Sequence, residues 1–84
     1  MKTIILDGSF LAERETAHNY LKEMLDLPEH YGKNLDALYD CLTEMQAVEI
    51  LIQKNGQEST CFRKLLRVFQ DAQAENQGIK LNIE

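Results

Sequence analysis

Asp36, Tyr39, Asp40 and Thr43 stand at i, i+3, i+4 and i+7, a spacing that puts four side chains on one face of a helix. Two carboxylates one turn apart repel, which costs a helix about 0.2–0.5 kcal/mol. A sequence serving stability alone would place a lysine at one of them. An aromatic between two acids also suits a contact surface better than a solvated one. His30, Tyr31 and Gly32 lie just upstream and bring more ring surface to the same neighbourhood. The competing reading is a solvated helix face with Tyr39 half-buried at its edge. Spacing alone leaves both open.

Other chemistries fit less well. Cys41 and His30 have the residue types of a thiol nucleophile and its base. But Cys41 follows Leu38 toward the apolar side of its helix, and neighbouring carboxylates raise a thiol pKa, so a packed, inert thiol is expected. His30, Asp36 and Asp40 match no zinc or EF-hand spacing, and neither metal nor cofactor is expected. Gly32-Lys33 has Leu27 where a phosphate loop has its first glycine. Paired carboxylates serve glycosidases, but 84 residues leave little room for a sugar cleft. The expectation is a protein without catalytic activity. His18, on the first helix, reads as a surface or boundary residue.

The elements that must position these side chains follow from periodicity. Residues 2–6 form a β-branched apolar run that reads as a buried strand, ended by Asp7-Gly8-Ser9 as a turn. Ala17, Tyr20, Leu21, Met24 and Leu25 give an amphipathic helix over about 12–25, closed by Pro28. Asn34 is a good N-cap for a second helix, in which Leu35, Leu38, Leu42 and Met45 share a face. Residues 48–52 read as a strand and Lys54-Asn55-Gly56 as a turn. Phe62, Leu65, Leu66, Phe69 and Ala72 give a third helix, about 58–76, with Gly78 placed to cap it. Ile79–Ile83 alternates as a final strand. The order β-α-α-β-α-β predicts an α/β fold, a three-stranded parallel sheet flanked by about three helices, in a single domain over residues 1–84.

Composition agrees: 44% hydrophobic and 27% charged, with one Pro and four Gly, excludes a disordered tail, a collagen-like repeat and a disulfide scaffold. Charge is uneven. The chain nets −5, and residues 26–49 carry six acids against the single base Lys33, which accounts for the whole excess. Such a field repels nucleic acid phosphates and speeds encounters with basic surfaces. No apolar run reaches the roughly 18–20 residues of a membrane span, and the N-terminal run is too short for a signal peptide. The expectation is a cytoplasmic protein that binds neither membrane nor nucleic acid, with Cys41 and Cys61 reduced.

The stretch from Leu27 to Thr43 resembles the barstar family of ribonuclease inhibitors. Its core is Tyr31-Gly32-Lys33-Asn34-Leu35-Asp36-Ala37-Leu38-Tyr39-Asp40-Cys41-Leu42. The likeness extends to Phe69–Glu75 and the closing strand. It implies a parallel three-stranded sheet with helices, and an inhibitory surface on the second helix and the loop before it. On this resemblance Asp40 would enter a ribonuclease active site in place of a substrate phosphate. Asp36 would meet the basic rim of the guanine side. Tyr39 would pack at the interface, with Leu35, Thr43 and Glu44 in the same contact surface. Gly32 and Asn34 would shape the loop. His30 would take a contact position, and Asp71 would contribute from the periphery.

The chain departs from the family pattern at His30, where the family has tyrosine, at Tyr39, where it has tryptophan, and at Glu44-Met45, where it has Gly-Trp. The segment after the second strand is shorter, and one short helix of the family is absent from the pattern. The expected partner is therefore a basic extracellular, guanyl-specific ribonuclease or a related toxin nuclease. The chain would be an immunity protein, monomeric when free. The rival reading is an acidic interaction or regulatory module that binds a basic non-nuclease protein.

Overall fold

The three apolar runs form the strands β1 (Lys2–Asp7), β2 (Val48–Gln53) and β3 (Ile79–Ile83) of one parallel sheet, ordered β1-β2-β3. This is a computed structural model and describes residues 2–84. Ile4 pairs with Ile50, and Ile50 with Leu81. The helices are α1 (Arg14–Met24), α2 (Leu35–Thr43) and α3 (Thr60–Glu75), which gives the expected order β-α-α-β-α-β.

Strand order and handedness decide where the helices lie. Both crossovers advance the sheet in the same direction, and right-handed crossovers of that kind fall on one face. Burial agrees. Ile4, Leu6, Val48, Ile50, Ile52 and Ile79 are buried, whereas Thr3, Lys80 and Asn82 on the other face are exposed. The 2–6 run is thus not buried on both sides as expected. Ile5 is 49% exposed, because no helix among the described residues covers that face of β1.

On the covered face Leu11, Leu21, Leu38, Leu42, Phe62, Leu65 and Phe69 fill the space between sheet and helices. Their spacings are those of the apolar stripes in the sequence. No helix among the described residues is long and apolar enough to cross a membrane. Cys41 and Cys61 are free and half-buried.

Four local features differ from the sequence pattern. A turn of 3-10 helix, Gly8–Leu11, follows β1, and α1 then starts at Arg14 because Glu13 is extended. Asp7 caps that turn, accepting from the Ser9 amide and hydroxyl at 2.9 and 2.7 Å. A Cβ on Gly8 would lie 2.6 Å from the Gln53 carbonyl oxygen, so only glycine lets the chain leave β1 beside β2.

Gly78 does not cap α3 in a left-handed turn. Asn76 ends the helix in an extended conformation, and its side chain accepts from the Gly78 amide at 3.0 Å. The same side chain donates to the carbonyls of Leu42 at 3.0 Å and Met45 at 2.9 Å. The Leu42 carbonyl lies in the last turn of α2, where it also accepts from the Met45 amide at 3.2 Å, and the Met45 carbonyl lies just beyond the helix.

The third and fourth differences are linked. His18 is buried, 2% exposed, and its Nδ1 lies 2.6 Å from the hydroxyl of Tyr31, which is also buried. Tyr31 therefore belongs to the core and not to the surface cluster its position suggested.

Asn76→Ala should destabilise the protein by about 1–3 kcal/mol, because it strips partners from three backbone groups. The loss should appear as a lower urea midpoint with faster amide exchange at the C-terminal end of α2. Burial, with the Arg14 guanidinium adding to it, holds the His18 imidazole below its ordinary pKa of 6.5. The unfolded chain then takes up a proton that the folded chain resists. Stability should be full above about pH 6.5 and fall as pH drops below it, until the folded imidazole also protonates. Urea midpoints across that range should show the slope, and His18→Asn, which keeps a polar group at the Nδ1 position, should flatten it.

Candidate functional site

The acidic surface is built on α2, nine residues long and held at both ends. At the start Asn34 is extended, and its Oδ1 accepts from the Ala37 amide at 2.7 Å. That is the capping bond the sequence pattern called for. Its amide nitrogen also donates to the Gly32 carbonyl at 3.4 Å, tying the loop to the helix. Lys33, between them, has φ 54°, a left-handed backbone that costs a non-glycine residue about 1–2 kcal/mol. The cap and the loop bond hold it there. Gly32 is not in that region, and a Cβ on it would only graze the Asn34 side chain at 3.3 Å.

The inner face of α2 buries Leu38 and Leu42, with Leu35, Cys41 and Met45 packed at the margin. The outer face leaves Asp36 and Asp40 exposed, with Glu44 beyond them at the C-terminal cap. None of these three carboxylates forms an ion pair among the described residues, where the ion pairs are Lys22–Glu29 and Arg67–Asp71. The repulsion read from the spacing is thus left without local relief. Asp36 at least sits in the first turn, where the helix dipole favours it.

Tyr39 lies between the two acids, half-buried against the core. Its phenol pKa is raised by burial, then by the fields of Glu75, Asp71 and Asp40. Asp71 and Glu75 come from α3, which packs against α2. Asp71 is therefore in the neighbourhood expected of it, and Glu75, one turn further on, joins without having been anticipated. The available signal was the i, i+4 spacing of the two acids on a helix that faces α2. Asp71 also holds Arg67 at 3.4 Å, an exposed pair that yields at little cost.

The remaining candidates divide. The Thr43 hydroxyl donates to the Asp40 carbonyl at 2.9 Å, so it braces the helix end. Leu35 turns toward a cavity shared with α1 and α3, with Asn34 and Asp36 at its edge. His30 is exposed on the loop before α2. Burial pushes the Cys41 thiol pKa up, and Glu44 and Asp40 push it further, which disfavours the thiolate.

The arrangement offers a ridge of carboxylates beside a half-buried ring, with Asp36, Asp40 and Glu44 of the short capped helix making no ion pair among the described residues. Chemically it can accept charge-assisted hydrogen bonds from guanidinium and ammonium groups.

Comparison with known proteins gives this surface a context. A family model described as Barstar (barnase inhibitor) matches residues 1–84. A protein of Bacillus subtilis (strain 168) named "Putative ribonuclease inhibitor YrdF" is 42% identical over 81 residues, covering 89% of each chain. A match over the whole length, together with a relative at that identity, makes the chain a member of the barstar family.

Proposed function

We propose that the chain inhibits a basic, guanyl-specific extracellular ribonuclease by placing the α2 face in its active site. Family membership supports ribonuclease inhibition in general, and the relative's name points the same way. The observation that carries the finer reading is the pair Asp36 and Asp40. Both are exposed, one turn apart, and unpaired on a helix capped at its start.

A ribonuclease cleft is built to hold a polyanion, and a fixed row of carboxylates complements it. Asp40, central on the face, takes the place of a substrate phosphate. Asp36 meets the guanine-side rim, and Glu44, Asp71 and Glu75 extend the field at the periphery. Tyr39 supplies apolar contact, with Gly32 and Asn34 setting the path of the loop that carries His30. The protein acts in the cytoplasm as a stoichiometric inhibitor that protects its host from the nuclease.

RNA cleavage by a panel of basic microbial ribonucleases, with and without equimolar protein, tests this. Inhibition of at least one enzyme is expected, and Asp40→Ala should remove it. Truncating one partner of a buried charge pair costs about 2–5 kcal/mol, roughly a thirtyfold to several-thousandfold loss of affinity. The same substitution should leave folding intact or raise stability by about 0.2–0.5 kcal/mol, because it relieves the repulsion with Asp36. An Asp40→Ala chain that inhibits as well as its parent would sink the active-site role. Failure to inhibit any enzyme, with capture of a basic non-nuclease protein lost on the same substitution, would favour the regulatory-module reading. Association rates should fall as salt rises, since the encounter is steered by charge.

A further inference from the structure

A cavity of about 520 Å³ opens where the N-terminal ends of α1, α2 and α3 converge, around the corner from the acidic ridge. Its apolar wall is Leu35, Cys61 and Leu65. Arg14 and Lys64 also line it, and neither makes an ion pair among the described residues. The acid among the lining residues is Asp36, exposed at the rim.

The third donor is buried. His18 lines the cavity although it is only 2% exposed. Its Nδ1 meets the Tyr31 hydroxyl, for which no other partner exists among the described residues. Burial pushes the Tyr31 pKa up to about 12, so the phenol keeps its proton. A buried hydroxyl hydrogen needs an acceptor, and Nδ1 is the one within reach. The network therefore assigns the donation to tyrosine and the ring proton to Nε2. Nε2 has no hydrogen-bond partner among the described residues, yet no buried side-chain nitrogen or oxygen among them is left unsatisfied. Nε2 is thus the edge of the ring that reaches solvent, and His18 lines both this cavity and a shallower one beside Glu15, Gly32 and Lys33.

We propose that this cavity binds a small carboxylate carried on an apolar or aromatic body. The carboxylate accepts from His18 Nε2–H between the cations of Arg14 and Lys64, while the body lies against Leu35, Cys61 and Leu65. The volume falls within the roughly 300–1,000 Å³ of small-molecule sites, and the lining has their usual composition, apolar with a few convergent polar groups. Cationic donors make the hydrogen bonds strong. The N-terminal end of α2 adds its positive dipole end. Asp36 at the rim disfavours a second negative charge on the ligand, so monocarboxylates are preferred over dicarboxylates and phosphates. Asn34, Leu35 and Asp36 are shared with the α2 surface, but this site does not depend on nuclease inhibition.

Titration of the full chain with phenylacetate, followed by NMR, tests the site without any nuclease, so it fails or succeeds separately from the inhibitory role. Saturable shifts are expected at the His18 side-chain nitrogens and at the amides of Leu35, Cys61 and Lys64, with a Kd on the order of 1 mM for so small a ligand. Benzylamine, the same ring carrying a cation, should leave these signals unmoved. The double variant Arg14→Gln/Lys64→Gln changes only exposed positions and should bind phenylacetate at least about fivefold more weakly. An unmoved His18 signal, an unchanged Kd in the double variant, or equal binding of benzylamine would each overturn the proposal.

Discussion

One side-chain amide, that of Asn76, ties the end of α2 to the end of α3 and the entry to β3. It donates to the carbonyls of Leu42, in the last turn of α2, and Met45, just beyond it, and accepts from the amide of Gly78, just before β3. The end of α3, the end of α2 and the entry to β3 therefore share one polar group. Leu38 and Leu42 supply the adhesion of α2 to the core, but apolar contact is not directional. The amide fixes where the helix stops. With Asn34 at the other end, the nine residues between present their carboxylates in a set geometry. The proposed inhibitory surface needs such support, because side chains on a loosely held helix surrender affinity to ordering.

The helices and strands were legible in the sequence because burial on one face of each imposes a period, and the period survives in Leu35, Leu38 and Leu42 or in Ile50 and Ile52. The Asn34 cap was equally legible, since it acts within four residues. Interactions across distant segments left no such trace. His18 looked like a surface residue because its partner, Tyr31, lies in the loop after α1 and meets it only once the chain has turned. Asn76 looked like an ordinary helix-ending residue, and Gly78 like its cap, because the carbonyls Asn76 binds are more than thirty positions away. The open face of β1 was hidden for another reason. A β-branched run reads alike whether one side or both sides are covered.

The acidic ridge carries a local cost in stability. Asp36 and Asp40 repel within the helix, and Glu44, Asp71 and Glu75 extend the same sign around Tyr39. The protein concentrates this unfavourable charge on an exposed face, where Asp36, Asp40 and Glu44 make no ion pair among the described residues. Behind α2 the sign reverses, and Arg14, Lys33 and Lys64 gather near its N-terminal end. The helix thus separates two fields of opposite sign a few residues apart.

The sheet that never changes direction has a further effect. In open α/β proteins ligands settle at the carboxyl edge where strand order reverses and neighbouring crossovers part to opposite faces. The order β1-β2-β3 contains no reversal, so neighbouring crossovers do not part and leave no crevice between them. A chain with this topology has no such crevice to offer, which leaves the outer faces of its helices, the joints between them and the open face of the sheet. Residues on the outer faces of the helices can therefore change without disturbing the strands.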